Sequence, residues 1–257
     1  MVAYPSNGWP DSSPSKTGLP KPTGTTGTIL DQACDHLISV DPKMKPLVEK
    51  HRCEIFSAKG LAEEIDPFRS LTTGIIGQQV SGAAANSIKA KFVGLFNEAN
   101  PDNPVFPTPA AVAKTDISRL RLAGLSQRKA EYIQGLAEKF ASGELGTAIL
   151  MKASDEEVME KLIAVRGLGR WSVEMFACFG LKRMDVFSTG DLGVQRGMAA
   201  YMGKDVSKLK AKGGGKWKYM SEQDMLQHSA KFAPYRSLFM WYMWRVEDVD
   251  VSVMQNN

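Results

Sequence analysis

At 257 residues the chain can bury a sizeable core, as one large domain or two intertwined lobes, and 43% apolar content is ordinary for a soluble globular protein. A net charge of +4 and a pI near 8.8 suit a nucleic-acid partner and equally a slightly basic soluble protein, so charge selects neither. Three scattered cysteines (Cys34, Cys53, Cys178) and three isolated histidines (His36, His51, His228) exclude a four-thiolate cluster, a zinc site and a disulfide framework. They fit a reducing intracellular compartment, and no apolar run spans a membrane or makes a secretory core.

Residues 1–27 are rich in Pro, Ser, Thr and Gly and read as a disordered arm that cannot bury enough apolar surface to fold. From Thr28 the pattern turns helical, with Ile29, Ala33, Leu37 and Ile38 on one face and Pro42 ending the run. A short helix follows over Met44 to His51, then a strand pair around Arg52–Phe56. Asp66 and Pro67 start a strongly apolar helix carrying Phe68, Leu71, Ile75 and Ile76. It breaks at Gly77-Gln78-Gln79-Val80-Ser81 and resumes as an alanine-rich helix to Phe96.

Beyond a proline-studded loop, two helices are expected at about 108–121 and 126–141, with Gly124 closing the first and Ser126 capping the second. Ser154 to Glu157 make a capping box for a helix that buries Val158, Leu162 and Val165. The segment from Gly203 to Lys218 carries six lysines and three consecutive glycines and reads as a mobile basic surface loop. The final helix, with Phe232, Tyr235, Leu238, Phe239, Trp241, Tyr242 and Trp244, reads as core. With so few alternating patterns, the fold class is all-α.

The stretch from Lys161 to Gly197 carries the chemistry. A helix leads into a tight turn of Gly167, Leu168 and Gly169, a second helix follows at once, and Asp191 opens a third. The glycines let the backbone approach another molecule closely, and the N–H groups at the start of the second helix suit a phosphate. Asp191 reads on pattern alone as an N-cap. Asp185, close by in sequence, reads as structural.

Five blocks, DPFRSLTTGIIGQQVS, LRLAGLSQRKAEYIQGLA, LIAVRGLGRWSVEMFACF, DVFSTGDLGVQRG and PYRSLFMWYMWR, agree in order and spacing with one family. They resemble the helix-hairpin-helix DNA glycosylase superfamily, and within it the compact fungal-type members of the alkyladenine (3-methyladenine) branch. The resemblance spans roughly residues 60–245. It implies an all-α glycosylase domain over residues 28–257, in two helical lobes with the active cleft between them and no N-terminal β domain. It also implies a monomer acting in the nucleus on double-stranded DNA that contains alkylated bases, with no membrane role.

The same resemblance assigns residues. Gln79 is the wedge that fills the gap left by an extruded base, where some relatives place leucine, and Ser81 lies beside it toward the minor groove. Gly167, Leu168, Gly169 and Arg170 hold the DNA backbone. The carbonyls of Ile163, Val165 and Leu168 hold a structural Na+ or K+ that bridges to phosphate, and no cofactor is required for the chemistry. Asp191 is the catalytic carboxylate, buried and favoured in its ionised form by the helix it starts. Trp171, Met175 and Phe187 wall the base pocket. Lyase-active relatives carry a Schiff-base lysine where this chain has Trp171, so the resemblance implies hydrolysis to an abasic site.

The predicted activity is a monofunctional DNA glycosylase that releases alkylated purines such as 3-methyladenine and 7-methylguanine. Two alternatives stay open on the sequence. One is a non-catalytic binder of distorted or damaged DNA; the other is a bifunctional lyase for oxidised bases, disfavoured by Trp171 and the missing cysteine cluster.

Overall fold

The computed structural model describes residues 28–211, 215 and 217–246. The arm expected over residues 1–27 lies outside them, as do parts of the Lys/Gly-rich segment. Fifteen α-helices and no strand occur among the described residues, so the chain is all-α. They fall into two compact units. One holds residues 64–181, and the other joins residues 28–63 to the chain from 182 onward.

In the 64–181 unit the helices follow from caps and apolar spacing. Asp66 accepts from the Arg69 amide at 2.9 Å and Pro67 occupies the first turn of Pro67–Gly77, as the dipeptide signalled. Phe68, Leu71, Ile75 and Ile76 are buried there, against Phe92 of Gly82–Gly94 and Ile133 and Leu136 of Gln127–Ala141. Phe68 also meets Phe106 and Phe140 at tilted angles, with centroids 6.1 and 5.5 Å away. Ser154 and Glu157 form the capping box of Asp155–Ile163, which buries Val158 and Leu162. The helix expected over 108–121 is two helices, Pro109–Ala113 and Ile117–Arg121. The chain turns extended at Asp116, and the Thr115 hydroxyl donates back to the Ala111 carbonyl, so the first helix closes on itself.

In the other unit, Ile29–Val40 starts on a Thr28/Asp31 capping box and buries Ile29, Leu30, Ala33 and Leu37, leaving Ile38 half-exposed. The strand pair expected around Arg52–Phe56 is absent: Glu54–Phe56 is a 3-10 turn leading into the helix Ala58–Leu61. Ser57 explains the change, since it caps that helix through the Gly60 amide at 3.1 Å and leaves too few residues for a strand. The segment expected to be a loop over 203–218 begins with a helix, Val206–Ala211. The last helix is Arg236–Met243, buried from Ser237 to Met243, with Phe232 stacked on Phe239 at 3.9 Å between centroids. No described helix is long and apolar enough to cross a membrane.

Candidate active site

The site residues are divided between the two units, and each is described where it lies. In the 64–181 unit the hairpin joins Asp155–Ile163 to Arg170–Met175 through Val165 to Gly169. Gly167 has φ +96, and a Cβ there would lie 2.3 Å from the Tyr132 ring, so only glycine fits both the turn and its neighbour. The Leu168 amide donates to the Val165 carbonyl at 3.1 Å and the Leu168 side chain is buried, which anchors the turn from below. Gly169 is exposed and sits at the N-cap of the next helix.

Arg170 begins that helix, but its Nε donates to Glu174 Oε1 at 2.9 Å, so its charge is shared with a carboxylate that is only 5% exposed. Arg166 stacks over Tyr132 at 5.5 Å and pairs with Glu131 at 3.6 Å, a second exposed cation whose charge is likewise shared. Trp171 is 48% exposed, an unusual position for so large an apolar ring, and Met175 lies one turn along the same helix, half-buried. Beyond Met175 the helix widens into a π turn over Phe176–Gly180, closed by the Leu181 amide on the Phe176 carbonyl at 2.9 Å.

The turn between Gly77 and Gly82 lies in the same unit. Gln79 is exposed and holds φ 56, in the left-handed region that a residue with a side chain rarely occupies. Ser81 is exposed and caps the helix Gly82–Gly94 through the Ala84 amide at 3.3 Å. Gln78 reaches across 89 positions of sequence to donate from Nε2 to the Gly167 carbonyl at 2.9 Å. Lys129 donates from Nζ to the carbonyls of Ile76 and Gln78, at 2.8 and 2.7 Å.

The other unit holds Asp191. It is the N-cap of Leu192–Tyr201, with Oδ1 accepting from the Val194 amide at 2.8 Å. The same oxygen accepts from Trp244 Nε1 at 2.9 Å. Gly193 makes room for this contact, because a Cβ there would lie 2.8 Å from Trp244 Cδ1 and 3.1 Å from the carboxylate. Asp191 is half-exposed, where a buried carboxylate was expected: as a cap it sits at the end of its helix, which leaves one side of it open.

The connector before Asp191 is fixed on both sides. Ser237 accepts from the Val186 amide at 2.9 Å and donates to the Arg183 carbonyl at 2.6 Å, while buried Gln195 donates to the Thr189 carbonyl at 3.1 Å. Asp185 makes a bidentate pair with Arg236 at 2.7 and 2.9 Å, the structural part that its position suggested. Phe187 stacks on Phe239 at 6.1 Å.

A family model described as HhH-GPD superfamily base excision DNA repair protein matches residues 73–212, which takes in the Gln turn, the hairpin and Asp191. The chain belongs to this superfamily. It is 34% identical over 248 residues to a DNA-3-methyladenine glycosylase of Saccharomyces cerevisiae, covering 88% of this chain and 82% of the yeast protein. It is 31% identical to DNA-3-methyladenine glycosylase 1 of Schizosaccharomyces pombe, over 85% of this chain and 88% of that one. A structure of the S. pombe 3-methyladenine DNA glycosylase in complex with abasic DNA superposes with a TM-score of 0.66 at 28% identity. That match covers 86% of this chain and 98% of that one.

Within the superfamily's frame, sequence reasoning passed over three side chains. Trp244 was read as core, yet it is half-buried and holds the Asp191 carboxylate. Its place at the end of an aromatic stripe is the only signal, and a stripe does not say which ring turns its N–H toward an acid. Gln78 stands at the C-cap of Pro67–Gly77 through its backbone amide, and its side chain in addition joins the turn to the hairpin. Lys129 drew no attention, although a lysine early in a helix that packs on another helix's C-terminal end is suited to its free carbonyls.

Proposed function

We propose that the chain is a monofunctional DNA glycosylase that hydrolyses the N-glycosidic bond of alkylated purines, such as 3-methyladenine and 7-methylguanine, in base excision repair. The observation that carries this reading is the Asp191 carboxylate, held by the Val194 amide and the Trp244 indole within a superfamily of base excision repair proteins. As the bond from C1′ to the base breaks, its electron pair leaves with the base and positive charge builds on the sugar. An alkylated purine already carries positive charge, so it departs neutral and needs no strong general acid. Asp191 stabilises the sugar cation electrostatically and orients the water that adds to C1′, taking up its proton and leaving an abasic site.

The base is reached by extrusion from the duplex, with Gln79 filling the gap and Ser81 beside it at the minor groove. The amides of Gly167 and Gly169, with Arg170 and Arg166, hold the phosphate backbone, while the Leu168 amide closes the turn on the Val165 carbonyl. Trp171, with Met175 one turn on, receives the base, and the indole face attracts an alkylated cation. Trp171 in place of a lysine removes the Schiff-base route.

The carbonyls of Ile163 and Val165 stand at the C-terminal end of Asp155–Ile163 and just past it, where the helix dipole is negative, and with the Leu168 carbonyl of the turn they suit a structural Na+ or K+ ion. The Val165 carbonyl accepts the Leu168 amide and keeps a second lone pair for such an ion. Action as a monomer in the nucleus belongs to the same reading. The test is base release from methylated DNA by the purified protein. Free 3-methyladenine and 7-methylguanine and alkali-labile abasic sites are expected, with no borohydride-trapped covalent complex. Tight binding to lesion DNA without release would leave a damage-binding module, and a trapped complex would mean lyase chemistry.

A further inference from the structure

Two side chains that take no part in the bond cleavage converge on the turn that presents Gln79. Lys129 donates to the carbonyls of Ile76 and Gln78, which lie at the C-terminal end of Pro67–Gly77. That end gathers unsatisfied carbonyls and the negative pole of the helix dipole, and an ammonium is the group that suits it. Lys129 is half-buried, and desolvation by burial holds its pKa below that of a free lysine. From the second of these anchored residues, the Gln78 side chain goes on to the Gly167 carbonyl. This bond fixes the plane of the Gly167–Leu168 peptide, whose N–H turns inward to the Val165 carbonyl, and so holds the frame on which the flanking amides of Gly167 and Gly169 are set. Gln79 comes next and holds φ 56, a conformation that a glutamine keeps only where its surroundings impose it.

We infer that Gln78 and Lys129 are positioning residues that lock the probing turn to the phosphate-binding hairpin, so that insertion of Gln79 and the grip on the backbone act as one unit. The inference rests on the glycosylase reading for its functional consequence, though not for the lock itself. A wedge on a loose loop leaves the duplex free to restack, because the side chain has to order itself at the moment of extrusion. A wedge fixed to the hairpin is already ordered when the phosphate is gripped, and its entropy cost has been met in folding.

The test uses the full chain with Gln78→Met and Lys129→Met, each of which keeps volume and removes the donors. Amide hydrogen exchange in the free protein reads the lock. Gln78→Met is expected to raise exchange across residues 165–169, and Lys129→Met across 77–81, with the rest of the chain unchanged. Single-turnover excision reads its consequence. For 7-methylguanine paired with cytosine, both variants are expected to fall about tenfold. For the same lesion opposite a tetrahydrofuran abasic analogue, where no pairing resists extrusion, the loss should stay within about twofold. Unchanged exchange at 165–169 in Gln78→Met overturns the lock, and equal losses on the two substrates overturn its role in extrusion. Should the wild-type protein release no base at all, the glycosylase reading fails, and the exchange measurement still decides the lock.

Discussion

The two units solve different problems with different parts of the polypeptide. In the proposed function the 64–181 unit grips DNA through the backbone of a hairpin with a glycine at φ +96, and presents the side chains of Gln79, at φ 56, and Trp171. Side chains there, Gln78 and Lys129, hold main-chain carbonyls in place. In the other unit the proposed working group is one carboxylate, Asp191, which the Val194 amide and the indole of Trp244 hold. A phosphate backbone repeats along DNA and is well met by repeating amides, whereas developing charge at one carbon calls for one charge at one point. Glycine and turn substitutions should therefore damage the first unit, and donor-removing substitutions the second.

Gly167→Ala breaks the first half of this comparison most severely. The added methyl meets the Tyr132 ring and demands a positive φ from alanine, costing about 2–4 kcal/mol of stability. Denaturant unfolding should report that loss, and affinity for abasic DNA should fall with it. Unchanged stability and affinity would mean that the hairpin tolerates rearrangement and that its amides are not the grip.

Trp244→Phe sharpens the second half. It keeps the ring and removes the N–H donor to Asp191, so kcat should fall about tenfold with KM and DNA affinity little changed, as for one hydrogen bond to a charged group. Gly193→Ala approaches the same contact from the other side. Its methyl would press on Trp244 and displace the indole, and the same loss of kcat without loss of binding is expected. A parallel fall in DNA affinity for either variant would place Trp244 in binding and weaken the division between the units.

The smallest effect concerns pH and touches only the unit that holds Asp191. The Thr28 hydroxyl and amide both donate to Asp31 and hold its pKa below the ordinary 3.8. The unfolded chain therefore binds this proton more readily than the folded one. The contribution is complete above 3.8 and is lost as pH falls through the lower folded value. Asp31→Asn should lower stability at neutral pH by under about 1 kcal/mol and flatten its acid dependence, read from urea unfolding at pH 6 and pH 3.

The residues that the sequence disclosed best act on near neighbours. Asp66 with Pro67, Ser154 with Glu157, and Asp191 at the start of Leu192–Tyr201 each announce a helix start within four positions. The contacts that escaped join distant positions: Trp244 to Asp191 across 53 residues and Gln78 to Gly167 across 89. Nothing local in an aromatic stripe or a glutamine pair encodes such a partner; the fold supplies it. The strand expected at Arg52–Phe56 failed for the opposite reason, because Ser57 claimed the backbone for a helix within one turn.

In the proposed function Asp191 carries the chemistry while the hairpin unit carries the grip. Asp191→Asn tests it directly, since the amide keeps an oxygen for the Val194 and Trp244 donors and loses only the charge. Single-turnover release of 7-methylguanine should fall at least ~10³-fold, with affinity for abasic DNA within about twofold of wild type. Release at a rate near wild type would contradict the account and leave Asp191 as nothing more than a helix cap.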